Sequence, residues 1–192
     1  GCSMHDPLNT AFSPATLGKL QLKNRILKAA TYEGKTPDGV PGELLLNFHR
    51  EIVQGGTAMT TIGSCTTEAD GRINDAMMWM HGGIRDQLNH MNRELKSAAP
   101  GVKISGQMMH CGYFSKNRKL QRLKRPLGPS RQFNILGAAA GMPFAGAMSV
   151  ADIDYFVQTY HDAALLMKDT GFDALEIHFS HGYGLSQFIS PK

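Results

Sequence analysis

Short apolar runs alternate with amphipathic stretches along most of this chain, and this alternation constrains the fold more than any other feature. A short apolar run predicts a buried strand, and apolar residues at helical spacing predict a helix packed on one face. Repeated strand–helix units imply a parallel sheet with right-handed crossovers. The predicted strands are 25–32, 58–64, 102–108 and 172–178, and the predicted helices are 42–54, 84–98 and 149–170.

Local signals support this order at both ends of the chain. Residues 17–22 alternate around Gly18, as half of a small hairpin does. Gly55 and Gly56 follow the first predicted helix and are typical of a helix end. The pair Ser149 and Asp152 has the spacing of a capping box, with Asp in the place usual for Glu, and predicts the start of the last helix.

Two architectures fit four strands joined in this way, an open doubly wound sheet and a (β/α) barrel. No GxGxxG follows any predicted strand and no GxxxxGK[ST] occurs, which weakens the nucleotide-binding open sheets. A complete barrel takes roughly 250 residues, so four strands within 192 residues are about half of one. The predicted fold class is therefore α/β, of the (β/α)8 TIM-barrel type, present as a half barrel. The segment 110–148 is rich in Gly, Pro and basic residues, and it is predicted to be a long loop insertion that serves a site.

Composition excludes several classes of protein. With 42% hydrophobic and 19% charged residues, the chain is typical of globular proteins and not of disordered or fibrous ones. No apolar run approaches the roughly eighteen residues of a membrane span, and the first residues do not resemble a signal peptide. The three cysteines show no CxxC spacing, which favours a reduced, cytoplasmic setting.

The net charge of +4 has its densest source in the segment 116–125. A solvated surface segment is the first interpretation of these basic residues. Attraction of an anionic phosphate on a substrate or cofactor is the second. Nucleic-acid binding is the weakest, because no aromatic platform or reading motif accompanies the charge.

Three polar side chains, His178, His181 and Tyr183, follow directly on the apolar run 174–177. Parallel α/β proteins bind ligands outside the carboxyl ends of their strands, so these residues are candidates for a site. Two neutral imidazoles can each donate a hydrogen bond to one carbonyl oxygen and stabilise charge that develops on it. A phenol is protonated at neutral pH and can donate a proton. Histidines three positions apart can also share a metal ion, which leaves a metal-dependent hydrolase as a weaker alternative.

Four segments in order carry a resemblance to a known family. They are the opening segment 12–25, Asp70-Gly-Arg72, Gly106-Gln-Met-Met-His-Cys-Gly112, and the run from Glu176 to Pro191. Together they resemble the old yellow enzyme family of NADH:flavin oxidoreductases, which includes the 2,4-dienoyl-CoA reductases. The resemblance covers nearly the whole chain but only the amino-terminal half of such a protein.

The resemblance implies a (β/α)8 barrel with FMN at the carboxyl ends of its strands. It also implies that NAD(P)H reduces the flavin, which then reduces an alkene conjugated to a carbonyl or similar group. By the same resemblance, His178 and His181 are catalytic and bind the substrate carbonyl, and Tyr183 donates the proton. The residues expected to bind the flavin are Ala29, Ala30, Thr31, Ser64 and Gln107, the last at the pyrimidine edge.

Strand alternation adds an expectation about charges inside the barrel. Lys103 and Gln107 share one face of their strand and are predicted to point towards the barrel axis, as is Glu176. Lys28 is assigned to the same face of the first strand. We therefore expect Lys28 or Lys103 to pair with Glu176 and neutralise it.

The chain also departs from the family at several positions. Tyr32 stands where several relatives carry a Cys or Thr that tunes the flavin potential, Tyr113 replaces a usual Arg, and Gly184 a common Leu. His110 is as compatible with a structural role as with a place near the flavin. Strands five to eight are absent, and with them the family's FMN-phosphate site.

Domain organisation and partners follow from the half barrel. Residues 1–11 are expected to be an amino-terminal extension and residues 12–192 the half barrel. Because a half barrel exposes two strand edges, we expect a homo-oligomer or pairing with a missing carboxyl-terminal half, besides a small-molecule substrate. Neither nucleic acid nor a membrane is expected as a partner. The alternative from another class is a non-catalytic half barrel that acts through self-association.

Overall fold

Strands and helices alternate as expected within the residues that the computed structural model describes, which are 7–116, 125–139 and 141–191. The strands are β1 (Ala15–Leu17), β2 (Leu20–Leu22), β3 (Leu27–Lys28), β4 (Met59–Thr66), β5 (Lys103–Met109), β6 (Leu127–Gly128), β7 (Gln132–Phe133), β8 (Phe144–Ala147) and β9 (Ala174–Ile177). The α-helices are α1 (Pro7–Phe12), α2 (Glu43–Gln54), α3 (Arg85–Ala98), α4 (Ile135–Ala138), α5 (Val150–Asp169) and α6 (Gly184–Ile189).

A four-stranded parallel sheet carries the fold, with its strands in the order β3-β4-β5-β9. Each strand pairs in parallel with the strand of this sheet that precedes it in the chain, so the order in space follows the order in the sequence. This sequential order is that of a (β/α) barrel, whereas the strand order of a doubly wound sheet reverses. Among the described residues, β3 and β9 each pair on one side only, and the sheet does not close.

The main core lies between this sheet and helices α2, α3 and α5. Ile62 and Ile104 reach into it from β4 and β5, and Leu88 from α3, and all three are fully buried. Fully burying one such side chain stabilises a fold by about 1.5–3 kcal/mol. Gly106 lets α5 approach β5 closely, because a Cβ at this position would lie 2.0 Å from the terminal methyl of Met167.

The antiparallel hairpin of β1 and β2 covers the amino ends of the parallel strands. Its turn passes through Gly18, whose φ of 59° lies in the left-handed region that favours glycine. Leu22 is buried against Ala58 and Met59 at the start of β4. The hairpin predicted from residues 17–22 is confirmed.

The capping box predicted for the last long helix is present at the start of α5. The Ser149 Oγ accepts from the Asp152 amide at 3.2 Å, and the Asp152 carboxylate accepts from the Ser149 amide at 2.8 Å. Such a cap stabilises a helix by about 1 kcal/mol. The helix ends at Asp169, before Gly171 with a φ of 94°.

The first parallel strand is much shorter than the predicted 25–32. At its start the Asn24 side chain accepts from the Ile26 amide at 3.0 Å, a local turn that delays strand pairing. After Lys28 the chain leaves the sheet and crosses β4, where a Cβ on Gly63 would lie 2.0 Å from the Thr31 carbonyl oxygen. Residues 29–36 therefore form a loop and not a strand.

The segment 110–148 is more ordered than the predicted loop insertion. Its described residues include a small sheet in which β6 is parallel and β7 antiparallel to β8. The Asn134 side chain ties this sheet to the turn that follows β5 by donating to the Tyr113 carbonyl at 2.6 Å. Most of the basic segment 116–125 lies at 117–124, outside the described residues, so its interpretations stay predictions.

The expected pairing of Glu176 with Lys28 or Lys103 is wrong. Lys28 is in register with Thr60, and Thr60 with Ile104, so these residues face the helices and not the barrel axis. Lys28 Nζ instead lies 2.5 Å from the Glu33 carboxylate. Glu176 accepts a hydrogen bond from Gln107, and no ion pair to it occurs within the described parts of the chain.

Apolar side chains remain exposed at both edges of the sheet. Leu27 on β3 is 43% exposed, and Leu175 and Ile177 on β9 are 39% and 50% exposed. In the described ranges, no helix has both the length and the apolar character needed to cross a membrane.

Candidate functional site

A cleft of about 600 Å³ opens at the carboxyl ends of the four parallel strands. Its wall is formed by the end of β5 and by the loops that follow β3, β4 and β9. The structure brings seven of the eight predicted site residues together there: Ala30, Thr31, Ser64, Gln107, His178, His181 and Tyr183. Ala29 is exposed in the loop after β3 and does not line the cleft.

The two histidines converge on one point in the cleft. The His178 amide donates to the Met108 carbonyl at 3.0 Å, which holds His178 just beyond the end of β9. His181 has a φ of 63°, a strained left-handed conformation for a residue with a side chain. The result is that His178 Nε2 and His181 Nδ1 lie 3.1 Å apart.

The protonation state of His178 allows its imidazole to act as a neutral hydrogen-bond donor. Burial lowers the pKa of His178, the neighbouring His181 lowers it further, and Glu176 opposes both. His178 is therefore a neutral imidazole at neutral pH. At 3.1 Å one of the two nitrogens donates to the other. An oxygen that replaces this hydrogen bond can accept from both nitrogens when His178 carries its proton on Nε2 and His181 on Nδ1. Such an arrangement stabilises negative charge on that oxygen.

Tyr183 lies beside the pair and keeps its proton. The centroid of its ring is 5.7 Å from that of His178 and 6.0 Å from that of His181. Burial raises the pKa of the Tyr183 phenol, and Cys111 adds to this rise. The next residue anchors the loop, because the Gly184 amide donates to the His110 carbonyl at 2.7 Å.

Gln107 is oriented by its neighbour on the adjacent strand. The two strands place Gln107 and Glu176 side by side, and the Gln107 amide nitrogen donates to the Glu176 carboxylate at 2.5 Å. A carboxylate only accepts hydrogen bonds, so the nitrogen of the amide must face it. The Gln107 Oε1 is thereby available to accept a hydrogen bond from a ligand in the cleft.

A bulge in β4 brings main-chain groups to the cleft. The register between β4 and β5 shifts between Ile62 and Cys65, and the inserted Ser64 has a φ of 55°. Bulges of this kind redirect a side chain near functional sites. Gly63 makes the bulge possible because its missing Cβ leaves room for the Thr31 backbone. The bulge was not predicted, although a glycine within the predicted strand 58–64 is a signal that could have indicated it.

Five further residues line the cleft without having been predicted as site residues: Tyr32, Ile73, Asn74, Met77 and Met109. The Tyr32 hydroxyl and the Asn74 side chain are 3.2–3.3 Å apart and join the loops after β3 and β4. Met77 is 3% exposed and belongs to the apolar wall. The loop after β4 could have been flagged by the Asp70-Gly-Arg72 motif, but no periodic signal shows which of its residues turn inwards.

His110 does not line the cleft. Its Nε2 lies 2.7 Å from the Glu68 carboxylate, and its Nδ1 accepts from the Gly112 amide at 2.9 Å. These bonds give His110 a structural place behind the site wall. No group of three or more His, Cys, Asp or Glu side chains that could hold a metal ion occurs among the described residues.

Comparison with known proteins gives consistent matches over nearly the whole chain. The model of the NADH:flavin oxidoreductase / NADH oxidase family matches residues 10–192. A 4,4'-dithiodibutanoate disulfide reductase of Rhodococcus erythropolis is 34% identical over 186 residues, which are 97% of this chain and 44% of that protein. An NADPH dehydrogenase of Geobacillus thermodenitrificans is 33% identical over 192 residues, covering 96% of this chain and 52% of that protein. The chain thus spans about half the length of the curated relatives it matches.

Solved structures confirm the predicted fold class. The old yellow enzyme from Pichia sp. AKU4542 superposes with a TM-score of 0.84 at 21% identity, covering 95% of this chain and 49% of that one. Morphinone reductase in complex with tetrahydroNAD gives a TM-score of 0.81 at 21% identity, covering 94% of this chain and 52% of that one. The chain has the fold of about half of such a barrel.

Proposed function

The chain belongs to the NADH:flavin oxidoreductase / NADH oxidase family, and from this premise we propose that it is the amino-terminal half of an FMN-dependent oxidoreductase with its cofactor in the cleft. One observation carries the proposal: His178 Nε2 and His181 Nδ1 meet at 3.1 Å in a cleft that Gln107 and Tyr183 also line. When bound, FMN would supply the redox chemistry, the transfer of a hydride from NAD(P)H to an alkene conjugated to a carbonyl.

The residues present fit a flavin ring. A cleft of about 600 Å³ lies within the usual range for cofactor sites. Ala30 in the loop after β3 and Ser64 at the β4 bulge line the cleft with small side chains, which leave room for a flat ligand. The Gln107 Oε1, oriented by Glu176, can accept a hydrogen bond from the imide N–H of the pyrimidine edge.

The histidine pair would hold the substrate carbonyl. Each of the two converging nitrogens donates one hydrogen bond to the carbonyl oxygen, which in turn polarises the conjugated alkene. Negative charge moves to this oxygen as hydride adds at the β-carbon, so the two donors stabilise the transition state more than the ground state. The neutral state of His178 keeps it a donor that does not protonate the oxygen outright.

Tyr183 would complete the reduction by donating its proton to the α-carbon. Its raised pKa keeps the phenol protonated across the neutral range. Its position beside both histidines supports this role, because a substrate that they held would lie near the phenol.

A disulfide is the second candidate substrate, favoured by the 34% identity with a protein named as a disulfide reductase. Hydride transfer to one sulfur would break the S–S bond and release the other sulfur as a thiolate. A proton from Tyr183 would convert that thiolate to a thiol, so that one disulfide, one hydride and one proton give two thiols. A cytoplasmic, reducing location is part of the proposal, and the unpaired thiols of Cys65 and Cys111 support it.

The open sheet edges favour an assembly around this site. Leu175 and Ile177 at the β9 edge are exposed, and the curated relatives are about twice as long as this chain. We propose that this edge pairs with a carboxyl-terminal half barrel or with a second copy. A non-catalytic half barrel acting through the same edge is the alternative.

A reconstitution experiment tests the redox proposal. The purified chain is mixed with FMN, freed of excess FMN by gel filtration, and its absorption spectrum is recorded. We expect a yellow protein that anaerobic NADH or NADPH bleaches and that 2-cyclohexenone or a dialkyl disulfide restores, with the faster acceptor identifying the substrate class. A colourless eluate, or bound flavin that no nicotinamide reduces, would overturn the proposal for this chain.

A further inference from the structure

We propose that Glu33 is a positioning residue, which holds the flavin-side loop in place through a buried network with Lys28, His49 and Thr60. The flavin-side loop is here residues 29–36, which follow β3 and contribute Ala30, Thr31 and Tyr32 to the cleft. The proposal rests on the proposed function for the identity of the ligand, FMN. The network itself involves no residue that the sequence indicated as a site residue.

The network crosses from the loop to the helix layer. The Glu33 carboxylate lies 2.5 Å from Lys28 Nζ and 3.1 Å from His49 Nε2. On its other side the His49 Nδ1 lies 2.7 Å from the Thr60 hydroxyl in β4. One loop carboxylate is therefore tied to strand β3, helix α2 and strand β4.

Its members are buried more deeply than charged groups usually are. The side chain of Glu33 is 4% exposed, that of His49 0%, and that of Lys28 14%. Burial alone raises the pKa of Glu33, but the hydrogen bond and charge of His49, followed by those of Lys28, outweigh it and leave the pKa below its ordinary value. Glu33 is therefore a carboxylate whose hydrogen bonds depend on the position of both partners.

A link from this network reaches the cleft through Thr31. Lys28 Nζ donates to the Thr31 hydroxyl at 3.0 Å, which turns that hydroxyl towards the network. On its other side the Thr31 backbone packs against Gly63 at the β4 bulge. Thr31 is thus held between the network and the bulge, and the main chain is what it can offer a flavin.

A network with only a structural role would not need buried charged side chains. Replacing a buried ion pair by apolar side chains of the same volume is often neutral or stabilising. The loop has no strand pairing beyond Lys28 within the described residues, and its other side-chain anchors include Tyr32 to Asn74 and Thr36 to the Ala76 carbonyl. The Lys35 ammonium also lies 5.3 Å from the centroid of the Phe48 ring on α2. The Glu33 carboxylate therefore supplies a hydrogen bond from the loop to the helix layer, through His49.

A matched pair of substitutions at His49 tests the proposal away from the cleft. His49→Gln places an amide nitrogen near the position of Nε2 and keeps the donor to Glu33. His49→Asn places it near Nδ1, which keeps the Thr60 contact and loses the Glu33 contact. Both are polar changes on α2, at a residue that does not line the cleft.

Two quantities are measured for each variant: the FMN dissociation constant by fluorescence quenching, and deuterium uptake of residues 29–36 in the FMN-free protein. We expect His49→Asn to weaken FMN binding about tenfold, the effect of losing one hydrogen bond to a charged group, and to speed exchange in 29–36. His49→Gln should stay within about twofold of the parent chain in both measurements. A peptide from α3 serves as the exchange control and should not change.

The outcomes separate this proposal from the proposed function. Faster exchange without weaker FMN binding, or no difference in exchange between the two variants, would overturn the positioning role. If the parent chain binds no FMN, the proposed function fails, and the exchange contrast alone decides whether Glu33 holds the loop. Should His49→Asn fail to fold, Thr60→Val replaces it, because it leaves the buried charges in place, lies outside the cleft and removes only the hydrogen bond that holds the His49 ring. Weaker FMN binding with an unchanged unfolding midpoint supports the proposal, and unchanged binding contradicts it.

Discussion

Tyr183 combines two properties that the proposed proton donor needs, a place beside His178 and His181 and a phenol that stays protonated. A neutral phenol exists below its pKa, so a raised pKa extends the donating form towards alkaline pH. Tyr183→Phe keeps the ring and removes the proton. We expect it to slow alkene reduction by about 10²–10⁴-fold and to leave FMN reduction by NADPH nearly unchanged, as followed by stopped-flow absorbance of the two half-reactions.

The control for this variant is Tyr155→Phe, since Tyr155 is 59% exposed on α5 and lies outside the cleft. The parent chain should show no loss of rate in the oxidative half-reaction between pH 7 and pH 9. An equal rate of alkene reduction in the parent chain and Tyr183→Phe would show that solvent supplies the proton.

Glu176 has a role that charge pairing does not explain. Because it fixes the direction of the Gln107 amide, Glu176→Gln would let that amide rotate and present either atom to the flavin. We expect FMN binding to weaken by about threefold to tenfold, in line with one imperfect hydrogen bond, as measured by equilibrium fluorescence titration. The same change at the exposed Glu51 of α2 is the control. A dissociation constant equal to that of the control would refute the orienting role.

At the residue scale the sequence predicted which side chains meet but not all of their bonds. His178, His181 and Tyr183 were predictable because all three follow one strand and parallel strands gather their carboxyl ends. The partner of Lys28 was not, because its face depends on the register with β4, and a change of one residue reverses every side chain. Thr60 opposite Lys28 shows that the register places this lysine beneath α2.

At the scale of single elements, the loop of residues 29–36 makes the stability of the chain depend on pH through Glu33. The pKa of Glu33 is lower when folded than its ordinary value of 4.5. Its contribution to stability is therefore fully present above about pH 5 and is lost as the pH falls below 4.5 and through the folded pKa. We expect Glu33→Gln to lower the free energy of unfolding by about 3 kcal/mol at pH 7, and the difference from the parent chain to shrink at pH 4.

Urea unfolding at pH 7, 5 and 4 measures this difference, with Glu51→Gln as the control for the loss of one carboxylate. A gap between Glu33→Gln and the parent chain that stays the same at all three pH values would show that Glu33 does not titrate within the buried network.

The β4 bulge is the other element on which the cleft depends. A methyl group at residue 63 would overlap the Thr31 carbonyl, since the added Cβ would lie 2.0 Å from its oxygen. Gly63→Ala should therefore destabilise the chain by about 1–3 kcal/mol and weaken FMN binding. Thermal unfolding checks the first effect, and Gly82→Ala, where nothing lies within 4 Å of the added Cβ, is the control. Equal unfolding midpoints for the two variants would show that the loop 29–36 and β4 separate without cost.

Elements with complete local signals were predicted well, and those set by distant contacts were not. The capping box of α5 and the apolar spacing of α2 and α3 are short-range features, and these helices start and end within a residue or two of the predicted bounds. The predicted length of the first strand is wrong because that length depends on where β4 bulges away from it. The small sheet of β6, β7 and β8 was not predicted because each strand has only two to four residues, too few to show a periodic pattern.

At the scale of the whole molecule, the fold exposes surface that a closed barrel would bury. Leu175 and Ile177 lie on an edge strand with unpaired backbone groups among the described residues, and such edges invite pairing with another chain. We expect the purified chain to sediment as species larger than the 21.0 kDa monomer, increasingly so at higher concentration. Leu175→Lys places a charge on the edge and should shift the distribution towards monomer.

The control for edge pairing is Val157→Lys, because Val157 is 61% exposed on α5 and lies away from the sheet edge. It removes the same kind of apolar surface without touching β9, so it should leave the association unchanged. Comparing the two variants separates edge pairing from general apolar adhesion. Equal effects would assign association to scattered surface residues, and a monomer at every concentration would show that the exposed strand edge does not pair in isolation.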